Sequence, residues 1–222
     1  MSRAKKAAAE RTVEFIRAGM TVGLGTGSTA YWAIQEVGKL VRQGMKLTAV
    51  ASSVASEEEA RKVGIEIVSF DGLTSIDIYI DGADETDSEK NLIKGGGGAL
   101  LREKILAYNS KQFIVIVDET KLVKQLGKFH LPVEVVPFAS DLTLQNIAKL
   151  ACTPVVRMKL GKPFITDNGN CIVDCDFGSI TNVEGLTSQL HAIPGVVEAG
   201  LFPHTMVSKV FVGAEDGTVR LL

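Results

Sequence analysis

Short apolar runs alternate with helix-like segments over the first 128 residues of the chain. Five short apolar runs are predicted as strands, at residues 21–25, 46–52, 65–68, 76–80 and 113–118. The runs at 65–68 and 76–80 have the β-branched and aromatic enrichment expected of buried parallel strands. Helical spacing of apolar residues predicts helices at residues 3–18, 28–42, 56–64 and 99–108. Strands that alternate with helices predict an α/β fold, in which a Rossmann-like, mostly parallel sheet is covered by helices on both faces.

The order of elements changes near residue 129. From there to residue 204 it reads strand, helix, strand, strand, helix, strand, which predicts a smaller ferredoxin-like α+β domain. Residues 166–170 favour a hairpin turn between its middle strands. The tail suggests a hairpin turning at Asp216, which we expect to return to the first domain because an isolated hairpin is marginal in water. The predicted domains are residues 1–128 with 205–222, and residues 129–204.

The composition excludes several classes of protein. Of 222 residues, 45% are hydrophobic and 23% charged, and the net charge is −2. No dense run of lysine and arginine indicates a nucleic-acid surface. No apolar stretch approaches the roughly 20 residues that cross a bilayer, and the N-terminus lacks the apolar core of a secretory signal. We therefore expect a cytoplasmic protein that binds neither nucleic acid nor membrane.

The cysteines suggest neither a disulfide framework nor a metal site. Cys152, Cys171 and Cys175 lack the C-x-x-C spacing of a zinc motif. We expect buried, reduced thiols, as is usual in the cytosol.

The first candidate for binding chemistry is "GLGTGST", residues 23–29, at the junction of a predicted strand and helix. Backbone N–H groups and the helix dipole can hold a phosphate at such a junction. A dinucleotide fingerprint would need glycine where Ser28 stands, and no Gly-Lys pair marks a Walker loop. Thr26, Ser28 and Thr29 offer hydroxyls, and Gly27 lets the backbone approach. The sequence favours a small-phosphate site, with a plain capped turn as the alternative.

The second candidate, "DGADE" at residues 81–85, ends a predicted buried strand. Ligands of parallel sheets bind outside the carboxyl ends of the strands. Asp81 and Asp84 are therefore candidates for holding sugar hydroxyls or for moving a proton. The alternative is a turn, which Asp-Gly pairs favour.

The third candidate is "IKGGGGALLREK", residues 93–104, in which four glycines separate Lys94 from a helix that contains Glu103. Glycine lets backbone donors crowd a ligand, and a lysine suits a phosphate or an oxyanion. Glu103 shares a helical arc with apolar residues, namely Ala99, Leu100, Leu106 and Ala107. A carboxylate on such an arc is paired or desolvated enough to act as a base. The alternative is a solvated glutamate that pairs with Arg102 or Lys104. We expect the second and third stretches to form one catalytic mouth.

Taken together, these motifs resemble those of ribose-5-phosphate isomerase, type A, over nearly the whole chain. The matching stretches, in order, are "GLGTGSTA" (23–30), "IYIDGADE" (78–85), "IKGGGGALLREK" (93–104), "VDETK" (117–121), "LPVEVVP" (131–137), "TDNGN" (166–170) and "IPGVVEAGLF" (193–202). The resemblance implies reversible conversion of D-ribose 5-phosphate to D-ribulose 5-phosphate in the non-oxidative pentose phosphate pathway. It also implies no metal and no organic cofactor, and a homodimer or homotetramer.

The resemblance further implies a role for each matching residue. Glu103 would be the catalytic base, with Asp81, Asp84 and Lys94 assisting. The implied substrate-binding residues are Thr26, Gly27, Ser28 and Thr29, then Asp81, Gly82, Ala83 and Asp84, then Lys94, Gly95, Gly96 and Gly97, and finally Lys121. Lys5 is a further candidate for the phosphate. Leu101 departs from the threonine common in the family, and helical spacing points it away from Glu103.

Other functions share parts of this pattern. An amino-sugar phosphate isomerase/deaminase would need a group for the amino leaving group, and no histidine lies near these loops. A CoA-transferase with a nucleophilic glutamate would need a larger cleft than so short a chain favours. A non-catalytic sugar-phosphate sensor would carry an effector module, for which residues 1–20 are too short, and its binding would survive loss of Glu103.

Overall fold

The computed structural model describes residues 2–222, so the first residue of the predicted 1–128 segment lies outside the described residues. The chain divides into two compact units. Unit 1 comprises Met1–Ala83, Arg102–Leu122 and Thr205–Leu222. Unit 2 comprises Asp84–Leu101 and Val123–His204.

The secondary structure consists of helices and strands in the alternating order that the sequence predicts. The α-helices are α1 Ser2–Thr12, α2 Ala30–Arg42, α3 Val54–Lys62, α4 Leu100–Tyr108, α5 Ser140–Ala148 and α6 Val183–His191. The strands are β1 Thr21–Leu24, β2 Thr48–Ala51, β3 Ile76–Gly82, β4 Glu85–Thr86, β5 Leu92–Ile93, β6 Ser110–Asp118, β7 Leu131–Val135, β8 Thr153–Val156, β9 Met158–Lys159, β10 Lys162–Pro163, β11 Cys171–Asp176, β12 Val196–Ala199, β13 Leu201–Phe202, β14 Lys209–Gly213 and β15 Val219–Leu221.

A six-stranded sheet forms the centre of unit 1, with strand order β15-β14-β6-β3-β1-β2. All neighbours are parallel except β14 and β15, which form an antiparallel hairpin. β1 lies between β2 and β3. The chain therefore passes from β1 to β2 on one side and then crosses to β3 on the other side of β1. Ligands of open parallel sheets bind at such a switch point, outside the carboxyl ends of the strands. The loops that follow β1 and β3 therefore lie where a binding site is expected.

Unit 2 is built on a four-stranded antiparallel sheet, with strand order β12-β7-β11-β8. Counted along the chain, these strands run fourth, first, third, second, and α5 and α6 occupy the two helical positions of a split βαβ fold. A small sheet of order β13-β5-β4 and the β9–β10 hairpin complete the unit. The architecture confirms the predicted fold class, a mostly parallel Rossmann-like sheet with a ferredoxin-like second sheet.

Each unit has its own apolar core. In unit 1, side chains of β1, β3 and β6 pack with those of α1 and α2, and Leu24, Ile80 and Ile116 are fully buried. In unit 2, β7 and β11 pack against α5 and α6, with Val133 and Val173 fully buried.

Several local predictions differ from the structure. The helix predicted at residues 3–18 ends at Thr12 and is followed by a single turn at Val13–Phe15, because the backbone becomes extended at Ile16. Residues 65–68 form a single bridge, Ala49 with Ile67, because they lie at the edge of the sheet with a neighbour on one side only. Helix α3 is capped by Ser53, which has an extended backbone and accepts from the Ser56 N–H, so the predicted capping box lies inside the helix. Residues 84–101 group with unit 2, because β4 and β5 pair with β13 of that unit.

The three cysteines are free thiols. Cys171 and Cys175 are buried as expected, whereas Cys152 is partly exposed. Within residues 2–222, no helix combines the length and the apolarity that a membrane crossing requires.

Candidate active site

The phosphate loop, defined here as residues 25–29, connects β1 to α2. Its Gly27 and Ser28 are exposed and reachable by a ligand, whereas Thr29 is buried at the start of the helix. A Cβ atom on Gly25 would lie 2.2 Å from the Asp81 carboxyl group, so only glycine fits where the two strand ends approach. The loop follows the strand–helix junction expected of a phosphate site.

The Thr26 hydroxyl lies within hydrogen-bonding distance of three serine hydroxyls. Its Oγ1 lies 2.7 Å from Ser52 Oγ, 2.8 Å from Ser53 Oγ and 3.0 Å from Ser56 Oγ. Ser56 Oγ also donates to the Gly25 carbonyl at 2.6 Å. The Thr26 hydroxyl therefore fixes the loop from inside, and the exposed part of the loop is left to contact an anion.

Lys5 of α1 reaches the same loop. Its Nζ donates to Ser28 Oγ at 2.8 Å and lies 3.9 Å from Asp118 Oδ2. Asp118 is buried at the end of β6, where Oδ1 accepts from the Thr120 N–H at 3.0 Å. Lys121 lies in the same turn and is partly exposed. The structure thus places a lysine beside the exposed serine, an arrangement that attracts an anion.

Asp81, at the end of β3, is fully buried. Its Oδ1 accepts from the N–H groups of Thr26 at 3.0 Å and of Gly82 at 2.7 Å, and its Oδ2 accepts from the Tyr79 hydroxyl. Burying a carboxylate is costly unless it is hydrogen-bonded, and these donors offset that cost. Asp81 thereby ties the end of β3 to the phosphate loop.

Glu103 is buried, with 3% of its surface exposed, in the first turn of α4. Leu100, Leu106 and Ala107 on the same arc are also buried, as helical spacing indicates. Arg102 and Lys104 are only partly buried, so Glu103 lies on the inner face of the helix rather than the solvated one. The carboxylate is therefore desolvated, as a general base requires.

The two carboxylates of unit 1 act on a common neighbour. The pKa of Tyr79 is raised well above its usual value, first because the ring is buried, then because the charges of Asp81 and Glu103 oppose ionisation of the phenol. Tyr79 therefore remains a neutral hydrogen-bond donor between two acidic groups.

The glycine-rich loop, defined here as residues 94–98, lies in unit 2. Lys94 is almost fully buried, its N–H donates to the Gly200 carbonyl at 2.8 Å, and its Nζ lies 5.6 Å from the centre of the Phe202 ring. The Gly96 N–H donates to Asp84 Oδ2 at 2.7 Å. The acidic and glycine-rich candidates of this unit are thus joined by a charge-assisted hydrogen bond.

Gly98 shows why the loop is rich in glycine. Its φ of +79° is a left-handed conformation that side chains disfavour, and a Cβ atom there would lie 2.3 Å from the Phe164 ring. Gly96 and Gly97 are exposed, so the backbone in the middle of the loop can meet a ligand.

Residues 48–217 match the family model described as ribose 5-phosphate isomerase A (phosphoriboisomerase A). The chain belongs to the ribose 5-phosphate isomerase A family. A relative named ribose-5-phosphate isomerase A, from Bacillus mycoides, is 47% identical over 98% of this chain and 98% of its own. The family resemblance drawn from the motifs is therefore confirmed.

Solved structures of ribose 5-phosphate isomerases have the same fold. The enzyme from Methanocaldococcus jannaschii is 41% identical, with a TM-score of 0.93 over 99% of this chain and 97% of its own. A D-ribose-5-phosphate isomerase in complex with phospho-erythronic acid is 39% identical, with a TM-score of 0.94 over the same shares of the two chains.

Within each unit, the structure brings several predicted site residues of this family member together. In unit 1, Lys5 contacts Ser28, and Asp81 contacts Thr26. In unit 2, Asp84 contacts Gly96. The roles of Glu103, Asp81, Asp84, Lys94 and Lys121 in catalysis or binding stay predictions. The absence of a metal also stays a prediction. Within residues 2–222, no group of three or more His, Cys, Asp or Glu residues could hold a metal ion.

Sequence reasoning missed Arg157, which holds the back of the glycine-rich loop. Its Nη1 donates to the carbonyls of Gly95 at 2.9 Å and Gly96 at 3.0 Å, while its Nε donates to Asp174 Oδ2 at 2.9 Å. No local pattern distinguishes it, because its partners lie about 60 residues away in the chain. Tyr79 and the serines at residues 52–56 were also missed. The serines follow β2 and Tyr79 lies in β3, and both strands are neighbours of β1. This position was the signal that could have identified them.

Replacing Arg157 by methionine should loosen the glycine-rich loop. Two loop carbonyls and the Asp174 carboxylate would lose charged donors, so kcat/KM for ribose 5-phosphate should fall by about tenfold to a hundredfold. The free energy of unfolding should fall by about 1–3 kcal/mol. Arg157→Lys should restore little, because an ammonium group cannot form the planar fork.

Lys159→Met provides the matched control, since Lys159 is exposed and lies two residues along the same segment. Steady-state kinetics and urea unfolding of the three variants check the prediction. Equal kinetics for Arg157→Met and Lys159→Met would show that the loop does not depend on the arginine.

The raised pKa of Tyr79 predicts a loss of stability in alkali. Up to pH about 10, the phenol is protonated in the folded and the unfolded chain alike. Above that, the unfolded chain loses this proton while the folded chain keeps it, so stability falls as pH rises, by about 1.4 kcal/mol per pH unit for one proton.

Urea unfolding between pH 8 and 11 measures this slope. Tyr79→Phe should lower the free energy of unfolding at neutral pH, because a buried hydrogen bond is lost. Above pH about 10, its free energy of unfolding should fall less steeply with pH, by the contribution of one proton. A constant difference between the two proteins at every pH would show that Tyr79 ionises equally in both states.

Proposed function

We propose that this chain interconverts D-ribose 5-phosphate and D-ribulose 5-phosphate, as a step of the non-oxidative pentose phosphate pathway. Membership of the ribose 5-phosphate isomerase A family supports this activity. The observation that carries the mechanism is Glu103, a carboxylate only 3% exposed in the first turn of the helix after the glycine-rich loop. A desolvated carboxylate in the helix that follows a loop of backbone donors along the chain suits proton transfer next to a carbonyl.

The reaction moves one proton between neighbouring carbons. In the open-chain aldose, the Glu103 carboxylate takes the proton from C2, and the electron pair moves onto the carbonyl oxygen at C1. The resulting enediolate has oxygens on C1 and C2. Glu103 then returns the proton to C1, while the C2 hydroxyl gives up its proton to the C1 oxygen, which yields the ketose. Each proton that leaves one atom is accounted for on another.

Lys94 and the amides of the glycine-rich loop are proposed to stabilise the enediolate. Lys94 is a cation in an almost fully buried position, where its charge is screened less than in water. A related isomerase binds phospho-erythronic acid, whose carboxylate has two oxygens on one carbon. Such a group resembles the paired oxygens of an enediolate, and its phosphate group matches that of the sugar.

The phosphate of the substrate is proposed to bind at the phosphate loop. Ser28 is exposed and already paired with the Lys5 ammonium group, and Thr29 is the N-cap residue of α2, where the helix dipole favours an anion. Lys121 supplies a further cation from its turn. Asp84, which is partly exposed, is proposed to hold sugar hydroxyls and to assist ring opening.

Exchange of Glu103 for glutamine tests the mechanism. The amide keeps the shape of the side chain but cannot accept the C2 proton, so kcat should fall by at least about 10²-fold with little change in substrate affinity. Ketose formation from ribose 5-phosphate is followed with EDTA present, and binding is measured by calorimetry.

Glu10→Gln is the control, because Glu10 is half exposed on α1 and its exchange should leave turnover unchanged. If the intact protein binds ribose 5-phosphate without converting it, a non-catalytic sensor becomes the better description. If Glu103→Gln turns over like the intact protein, another group is the base.

We further propose that the enzyme is a homodimer or homotetramer that associates through unit 2. Half of the exposed large apolar side chains of the described residues fall within residues 136–165, and Leu160 is 98% exposed. The others in this segment are Val136, Phe138, Leu142, Val155, Met158 and Ile165. Exposed apolar side chains concentrated in this way favour a protein interface.

Two charges in this segment should disrupt the association. The double variant Val155→Asp/Leu160→Asp would place carboxylates in an apolar interface, so its mass in solution should fall toward that of one chain. Light scattering coupled to size exclusion measures the mass, and circular dichroism checks the fold. Val54→Asp/Phe70→Asp, exposed in unit 1, is the matched control. An unchanged mass for the first variant would contradict the assignment of the interface.

A further inference from the structure

We propose that Tyr79 is a positioning residue for the isomerase reaction, which holds Asp81 and the phosphate loop in one fixed geometry. This inference rests on the proposed function and concerns a residue to which the family resemblance assigns no role. Its side chain reaches no exposed position, so it acts on the substrate only through its neighbours.

Packing fixes where the Tyr79 hydroxyl lies. The side chain is fully buried in β3, and its ring stacks on Phe113 of β6 with centroids 5.0 Å apart and an angle of 23° between the planes. A ring held in this way has few alternative rotamers. The hydroxyl is therefore already next to Asp81 Oδ2, and the hydrogen bond forms with little further loss of side-chain entropy.

The hydroxyl belongs to a hydrogen-bond network behind the phosphate loop. Tyr79 donates to Asp81, Asp81 accepts from the Thr26 N–H at 3.0 Å, and Thr26 Oγ1 lies 2.7 Å from Ser52 Oγ. The network joins the carboxyl ends of β1, β2 and β3, the strands on either side of the switch point.

Burial and charge keep the Tyr79 phenol neutral. Burial, together with the charges of Asp81 and Glu103, raises the pKa of Tyr79, so the phenol keeps its proton and continues to donate to Asp81 Oδ2. Asp81 and Glu103 are the acidic groups that act on it.

Loss of the hydroxyl would release the Asp81 carboxylate on one side. Oδ2 would lose a donor while Oδ1 kept the N–H groups of Thr26 and Gly82, so the carboxyl group could turn and loosen its hold on Thr26. The phosphate loop would then sample other shapes, and binding of the phosphate end of the substrate would weaken. Glu103 would retain its own position on α4, so proton transfer in the bound complex would change less.

Tyr79→Phe tests this, because it keeps the ring and its stack on Phe113 while removing the hydroxyl. We expect KM for ribose 5-phosphate and the dissociation constant of inorganic phosphate to rise together, by roughly tenfold. The kcat value should change by less than about threefold. Ser52→Ala, which removes a hydroxyl next to Thr26 Oγ1 in the same network, should raise both constants in the same direction.

Tyr108→Phe is the matched control, since this tyrosine is 79% exposed and its hydroxyl should be dispensable. If Tyr79→Phe and Ser52→Ala lower thermal stability but leave KM and phosphate binding unchanged, the network is only structural and the inference is wrong. Phosphate binding is measured by calorimetry without turnover. Failure of the intact protein to isomerise would therefore contradict the proposed function and leave this test valid.

Discussion

The buried carboxylate of Asp81 is the constraint on which the candidate site of unit 1 depends. A carboxylate with no exposed surface is costly unless donors surround it, and most of the nearby backbone is arranged to supply them. Thr26 and Gly82 give N–H groups, and Tyr79 gives a hydroxyl. Because the carboxyl group lies against the end of β1, Gly25 has no room for a Cβ atom. The glycine and the acidic motif are two sides of one contact.

In unit 2, a cation fixes the glycine-rich loop in a comparable way. Glycine-rich backbone loses more conformational entropy on folding than any other, so residues 94–98 need external ties to keep one shape. Arg157 supplies two of them from behind, through the carbonyls of Gly95 and Gly96, and is itself oriented by Asp174. Asp84 supplies another from the Gly96 N–H. The exposed middle of the loop can stay free of side chains because these contacts replace the order that side chains would give.

The sequence predicted what depends on local pattern and missed what depends on distant partners. Alternating strands and helices indicated the parallel sheet, and the helical arc of Glu103 correctly predicted that this glutamate is buried. The capping residue of α3 was misplaced by three positions, since Ser53 and Ser56 are equally good caps by composition and only the extended backbone of Ser53 decides between them. No local feature distinguishes Arg157 from other arginines, because its role exists only when its segment meets the glycine-rich loop.

The same distinction explains why motif order identified the family while individual roles remain proposals. A glycine loop or an Asp-Gly pair occurs in many unrelated folds. The order of several such motifs along 222 residues is specific, because it reflects one arrangement of strand ends. Within that arrangement the acidic residues have different surroundings. Asp81 is fully buried and its carboxylate is engaged by backbone and phenol, whereas Asp84 is partly exposed. Both carboxylate oxygens of Asp81 already accept hydrogen bonds from neighbouring residues, so Asp84 is the better candidate for contact with the substrate. Asp81 is better suited to fixing the loop that receives the phosphate.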